Sequence, residues 1–117
     1  MLGLADRIGN ITAYLYNNLI IDKDQQVVKG IILGNCVFGV EGKMVGKLVH
    51  NILYTDKGEI AARKLVKNGQ EFIVKNFADL YRQAWNITSK VKNHIAPWIE
   101  PTPDWSTLAL PDILKKQ

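Results

Sequence analysis

The chain has 117 residues, 47% hydrophobic and 22% charged, with a net charge of +4. That is enough for one globular domain around a single core and too short for a multidomain enzyme. These fractions exclude wholesale disorder and a collagen-like chain, and a single cysteine, Cys36, excludes a disulfide-stapled scaffold. The basic surplus falls between residues 22 and 92, where twelve Lys and Arg stand against seven Asp and Glu. It fits either ordinary solubility or contact with a polyanion such as nucleic acid.

A lone cysteine fits a reducing, cytoplasmic setting. The opening MLGLADRIGNITAYLY has neither a basic leader region nor a long apolar run, so no secretory signal is expected. The longest uncharged stretch, residues 30 to 40, is interrupted by Gly34 and Asn35, which leaves no membrane span.

In chain order, the first organised feature is a repeat. Asn18, Asn35, Asn51 and Asn68 recur at spacings of 17, 16 and 17, and Ala13, Gly30, Gly46 and Ala62 at 17, 16 and 16. Periodicity of this kind asks for a repeat architecture. Asn17-Asn18, Gly34-Asn35, His50-Asn51 and Asn68-Gly69 read as tight turns, because Asn and Gly accept positive φ. Asp22 to Gln25, Val40 to Gly42 and Asp56 to Gly58 are polar or glycine-bearing and read as the opposite turns. The pattern predicts about eight short antiparallel strands over residues 11–16, 19–22, 26–33, 36–39, 43–49, 52–55, 59–66 and 71–74, alternating long and short. The small residue in each long strand lets the backbone bend, so that a meander curls into a ring or barrel. Pairing of 71–74 with 11–16 would close it and remove the sheet edges, and an open meander covered by a helix is the alternative.

The repeated cores Val37-Phe38-Gly39-Val40-Glu41-Gly42-Lys43-Met44-Val45-Gly46 and Leu53-Tyr54-Thr55-Asp56-Lys57-Gly58-Glu59-Ile60-Ala61-Ala62 resemble the four-fold beta flower family, small bacterial domains built from tandem hairpins. The likeness covers residues 11 to 75 and departs at Gln25, where the pattern has glycine. What the resemblance implies is a fold; it brings no activity and no catalytic residue.

From residue 76 the period becomes helical, with Phe77, Leu80, Tyr81, Ala84, Ile87 or Thr88, Val91 and Ile95 on one stripe. Asn76 is the expected N-cap and Pro97 the stop of a helix over 76–96 that covers an open face of the ring. The tail, 97–117, is irregular and apolar, with four prolines and a short helix allowed from Pro111. The whole is one domain, 1–117. Trp98, Trp105, Leu108 and Leu110 either wrap the domain or meet another chain, and they form the candidate partner surface.

Catalytic chemistry finds little footing. Cys36 is expected as a small buried side chain, and His50 and His94 as turn and helix-end residues. No zinc-ligand spacing, calcium-loop ligand series or phosphate-binding glycine motif occurs, so no cofactor or metal is expected. The one basic cluster is Lys47, Arg63 and Lys64, placed after the bend residues of neighbouring repeats. It is a candidate anion-binding rim, with Lys29, Lys43 and Lys67 around it and Phe38 and Tyr54 either stacking beside it or in the core. The expected function is therefore a non-catalytic interaction or structural module whose partner is a protein or a second copy of itself. Polyanion binding through the basic rim is the alternative.

Overall fold

The computed structural model describes residues 2–24, 27–65, 77–92 and 98–115. Eight strands follow one another: β1 (Leu2–Ala5), β2 (Ile11–Tyr16), β3 (Leu19–Ile21), β4 (Val28–Leu33), β5 (Cys36–Gly39), β6 (Met44–Val49), β7 (Ile52–Thr55) and β8 (Ile60–Leu65). Each pairs antiparallel with its neighbours in sequence, and β8 pairs with β1 to close a barrel. Short strands alternate with long ones, as the repeat predicts.

The closing strand differs from the expected one. Residues 71–74 lie outside the described residues, and the edge of β2 is taken by β1, with Leu2 opposite Leu15 and Leu4 opposite Ala13. The repeat therefore begins at the first residues of the chain. Leu4-Ala5-Asp6-Arg7-Ile8-Gly9-Asn10-Ile11-Thr12-Ala13 aligns without a gap on Leu53 to Ala62.

Each hairpin contains the same irregularity. The register slips so that Thr12, Lys29, Val45 and Ala61 are left over opposite β1, β3, β5 and β7. Each of these bulges precedes the small residue of its strand, and an extra residue there bends and twists the strand so that the sheet can curl. Opposite the small residues stand large ones: Leu4 faces Ala13, Ile20 faces Gly30, Val37 faces Gly46 and Leu53 faces Ala62. These four large side chains are fully buried and meet around the barrel axis. An eight-stranded barrel has just enough interior to be filled in this way.

The turns at one end contain Asn17, Gly34 and His50 at positive φ, one residue before the recurring asparagines. Asn18, Asn35 and Asn51 offer their backbone carbonyls to the amides of Ile32, Leu48 and Lys64, each at 2.8 Å. At the other end Gly9, Gly42 and Gly58 have positive φ in equivalent turns.

Helix α1 (Phe77–Thr88) is shorter than the expected 76–96, and Asn76, His94, Ile95 and Pro97 lie outside the described residues. It does not cover an open end of the ring. Leu80, Ala84 and Ile87 pack on the outer wall against Leu19, Ile21, Ile31 and Phe38, a cluster separate from the barrel interior. Gln83 Oε1 fixes the helix by accepting the amide of Val28 at 2.8 Å. The open end is filled by a second helix, α2 (Leu110–Leu114), whose Leu110, Ile113 and Leu114 join the interior cluster.

Candidate functional site

The most elaborate surface lies where the tail meets the glycine-turn end of the barrel. Ile60 opens β8 beside β7, while β1 has already turned away at Asp6, so one backbone edge of Ile60 is open. The tail takes it: the Asp104 carbonyl accepts the Ile60 amide at 2.7 Å and the Ser106 amide donates to the Ile60 carbonyl at 2.8 Å, a one-residue parallel bridge at Trp105. Just before it, the Thr102 amide and hydroxyl donate to the Gly58 carbonyl at 2.9 and 3.1 Å. Pro101 and Pro103 flank Thr102 and hold the chain extended without asking for partners for missing N–H groups. The segment then passes between the turn at residues 55–59 and the turn at residues 6–10 and ends in the plug formed by α2.

This passage leaves a cleft of about 410 Å³ between the first turn and the tail, lined by Asp6, Arg7, Ile8, Ala61, Trp105 and Leu108 among others. Two large apolar side chains stand open on it, Ile8 at 80% and Leu108 at 50% exposure. Asp6 is committed to its turn, its carboxylate accepting the amides of Ile8 and Asn10 at 3.1 and 2.9 Å. Trp105, on one wall, carries the Arg63 guanidinium 5.6 Å from its ring centre, a distance at which cation–π attraction operates. On the far side of residues 106–108 a smaller cleft of about 90 Å³ runs along the turn at 55–59.

The predicted partner surface divides. Trp98 is 84% exposed, but its neighbour Ile99 packs at the Gly58 turn and Trp98 is not among the residues lining the cleft. Trp105 and Leu108 line it. Leu110 lies at the floor of the same cleft but is only 1% exposed, so it belongs to the core at the head of the plug more than to an open surface. Burial of Leu110, Ile113 and Leu114 in the interior cluster turns that side of α2 inward. Ile8 was missed. Its signal was an apolar residue in a turn position where the aligned repeats have Glu41 and Lys57.

The basic residues do not form a single rim. Strand alternation puts Lys47 and Arg63 outward, beside the inward Gly46 and Ala62, while Lys64 shares the inner face of Ala62 at the level of Leu15, Ile32 and Leu48. On the outer wall Lys47 stands opposite Tyr54 and Arg63 opposite Ile52, with β7 between the two cations. Phe38 is buried under α1 and Tyr54 is half-buried on the outer wall, so repeat-equivalent aromatics have different roles. Lys67 lies outside the described residues.

Cys36 is buried, with its thiol directed at the Asn35 side-chain oxygen at 3.8 Å. Among the described residues no three His, Cys, Asp or Glu side chains are grouped to hold a metal, and no helix is long and apolar enough to cross a membrane. Comparison of the chain with family models, curated proteins and solved structures gave no match.

Proposed function

We propose that this chain is a non-catalytic protein-interaction module that takes an apolar side chain of a partner protein into the cleft between Ile8 and Leu108. The observation that supports this reading is the placement of two exposed aliphatic residues on one concave cleft backed by Trp105. A concave, well-defined apolar site with an aromatic wall is the common form of an anchor pocket at protein interfaces. Arg7 and Arg63 flank the cleft and suit a partner segment bearing acidic residues beside its apolar anchor. The lone buried cysteine supports a cytoplasmic setting. Four equivalent hairpins support the likeness to the bacterial four-fold beta flower domains.

A second reading has its own observation. Lys47 beside Tyr54, together with Arg63 stacked on Trp105, makes a basic and aromatic strip of the kind that tracks a single-stranded polyanion. One experiment separates the two. Partners are captured on the intact chain and on an Ile8→Asp, Leu108→Asp double variant, at low and at high salt. Surface changes of this kind alter stability by roughly 0.5 kcal/mol or less each, so folding is not the variable. The interaction reading expects a discrete protein that survives high salt on the intact chain and is lost on the variant. Equal capture by both chains contradicts it, and nucleic acid released by salt from both favours the basic strip.

A further inference from the structure

The turns at the glycine-turn end of the barrel share one backbone hydrogen bond, closed over four residues in three of them and over five at Asp22. In each, the first turn residue donates its amide back across the turn: Asp6 to Asn10, Asp22 to Val27, Gly39 to Lys43 and Thr55 to Glu59, at 2.8 to 3.0 Å. Three of those residues also cap their turn through a side-chain oxygen. Asp6 accepts the amides of Ile8 and Asn10, Asp22 that of Val27, and Thr55 those of Lys57 and Glu59. Gly39 has no side chain to do so. A Cβ there would collide with the carbonyl oxygen of Leu114, and that oxygen instead accepts the amide of Val40 at 3.3 Å. Across the ladder Gly39 faces Gly30, where an added Cβ would meet the Phe38 carbonyl oxygen at 2.8 Å and Leu114 Cδ2 at 3.1 Å. The paired glycines form a notch for the last residue of the plug.

The plug itself is a peptide in character. Its five-residue helix has no stability of its own, and its extended part is held by main-chain pairing to Ile60 and Gly58. These are the elements of strand addition followed by an apolar helix in a groove. We propose that this end of the barrel is a peptide-docking site filled in cis by residues 102–114, and that Gly39 is the residue that seats the C-terminal end of the occupant. The occupant in trans is the same segment of a second copy: an extended stretch that pairs with Ile60, then one helical turn bearing the stripe Leu110, Ile113 and Leu114. Covalent attachment gives the resident segment a high effective concentration, so a free peptide gains entry when the resident is weakened.

The test uses the full chain carrying Leu110→Asp and Leu114→Asp, titrated with a fluorescent peptide of residues 98–115 and followed by anisotropy. The variant should bind the peptide at least tenfold more tightly than the intact chain does. Gly39→Asp added to the variant should remove that gain, and a peptide carrying the same two aspartates should not bind. A variant that keeps the barrel's far-ultraviolet spectrum and ignores the peptide overturns the proposal. If the double variant does not fold, the milder Ile113→Ala chain serves. A gain of at least threefold over the intact chain supports the docking site, and no gain overturns it. Trp105, Leu108 and Leu110 of the segment also line the cleft, so the partner-binding test is read on the intact tail and this titration on the substituted one, and either can fail without the other.

Discussion

Leu4→Asp abolishes the cooperative unfolding transition. Leu4 is one of four equivalent side chains, with Ile20, Val37 and Leu53, that fill the barrel axis with almost no exposure. A carboxylate there is taken out of water among apolar side chains; Lys64 stands opposite it in the register, but pairing does not repay the desolvation of a buried charge, and the penalty of several kcal/mol is a large share of the roughly 5–15 kcal/mol of a typical domain. The milder Leu4→Ala should cost about 3 kcal/mol, within error of Leu53→Ala, because both delete the same volume from equivalent sites. Urea midpoints measure it. A Leu4→Ala loss below about 1 kcal/mol beside a full loss at Leu53 would mean that the first strand is not part of the wall.

Gly46→Ala has the second largest expected effect for one added methyl group. A Cβ at Gly46 would run into the carbonyl oxygen of Tyr54, a backbone atom of the adjoining strand that cannot rotate aside. The strands must part or the bulge at Val45 must shift, and overpacking of this kind costs about 3 kcal/mol. Ala62, at the equivalent place one repeat on, already carries a Cβ, and Ala62→Gly should cost only about 1 kcal/mol through chain entropy. The expected ratio of the two losses is therefore near three. A Gly46→Ala protein as stable as the parent would show that small residues at these places answer to something other than the approach of the next strand.

Much of the barrel was legible because its devices are local. Turn residues at positive φ, small residues at a 16- or 17-residue beat and alternating apolar runs fixed the seven strands from Ile11 to Leu65 to within two residues at either end. What was not legible depends on contacts distant in sequence. The first strand, Leu-Gly-Leu-Ala, contains no β-branched residue, and Leu2 replaces the asparagine that marks the other repeats. The strand forms a local hairpin with β2, but its place as the closing strand rests on pairing with β8, some sixty residues on. The truncated unit beginning at Asn68 retained the marker and so drew the prediction away. The helical stripe is buried at Leu80, Ala84 and Ile87, while Tyr81 of the same expected stripe is exposed, and periodicity carries no information about whether that face meets the wall or the mouth of a barrel.

The candidate site was legible in part for the same reason. Trp105 and Leu108 stand out by composition, and Arg63 by its charge. Their convergence with Ile8 arises because the first and fourth turns become neighbours on closure. Lys64 was grouped with Lys47 by repeat position alone. A shift of one residue along a strand reverses the face, and that one-residue difference separates them.

Closure by the N-terminal strand is therefore the claim on which the cleft, the seat of the tail and the docking site all depend. Cross-strand nuclear Overhauser contacts measure it most directly. The register predicts contacts between Gly3 and Leu65, Leu4 and Lys64, and Ala5 and Arg63. Their presence, with those between Leu4 and Ala13, establishes the closed barrel described above. Contacts from residues 71–74 to residues 11–16 in their place would contradict it, and the first turn would no longer flank the tail.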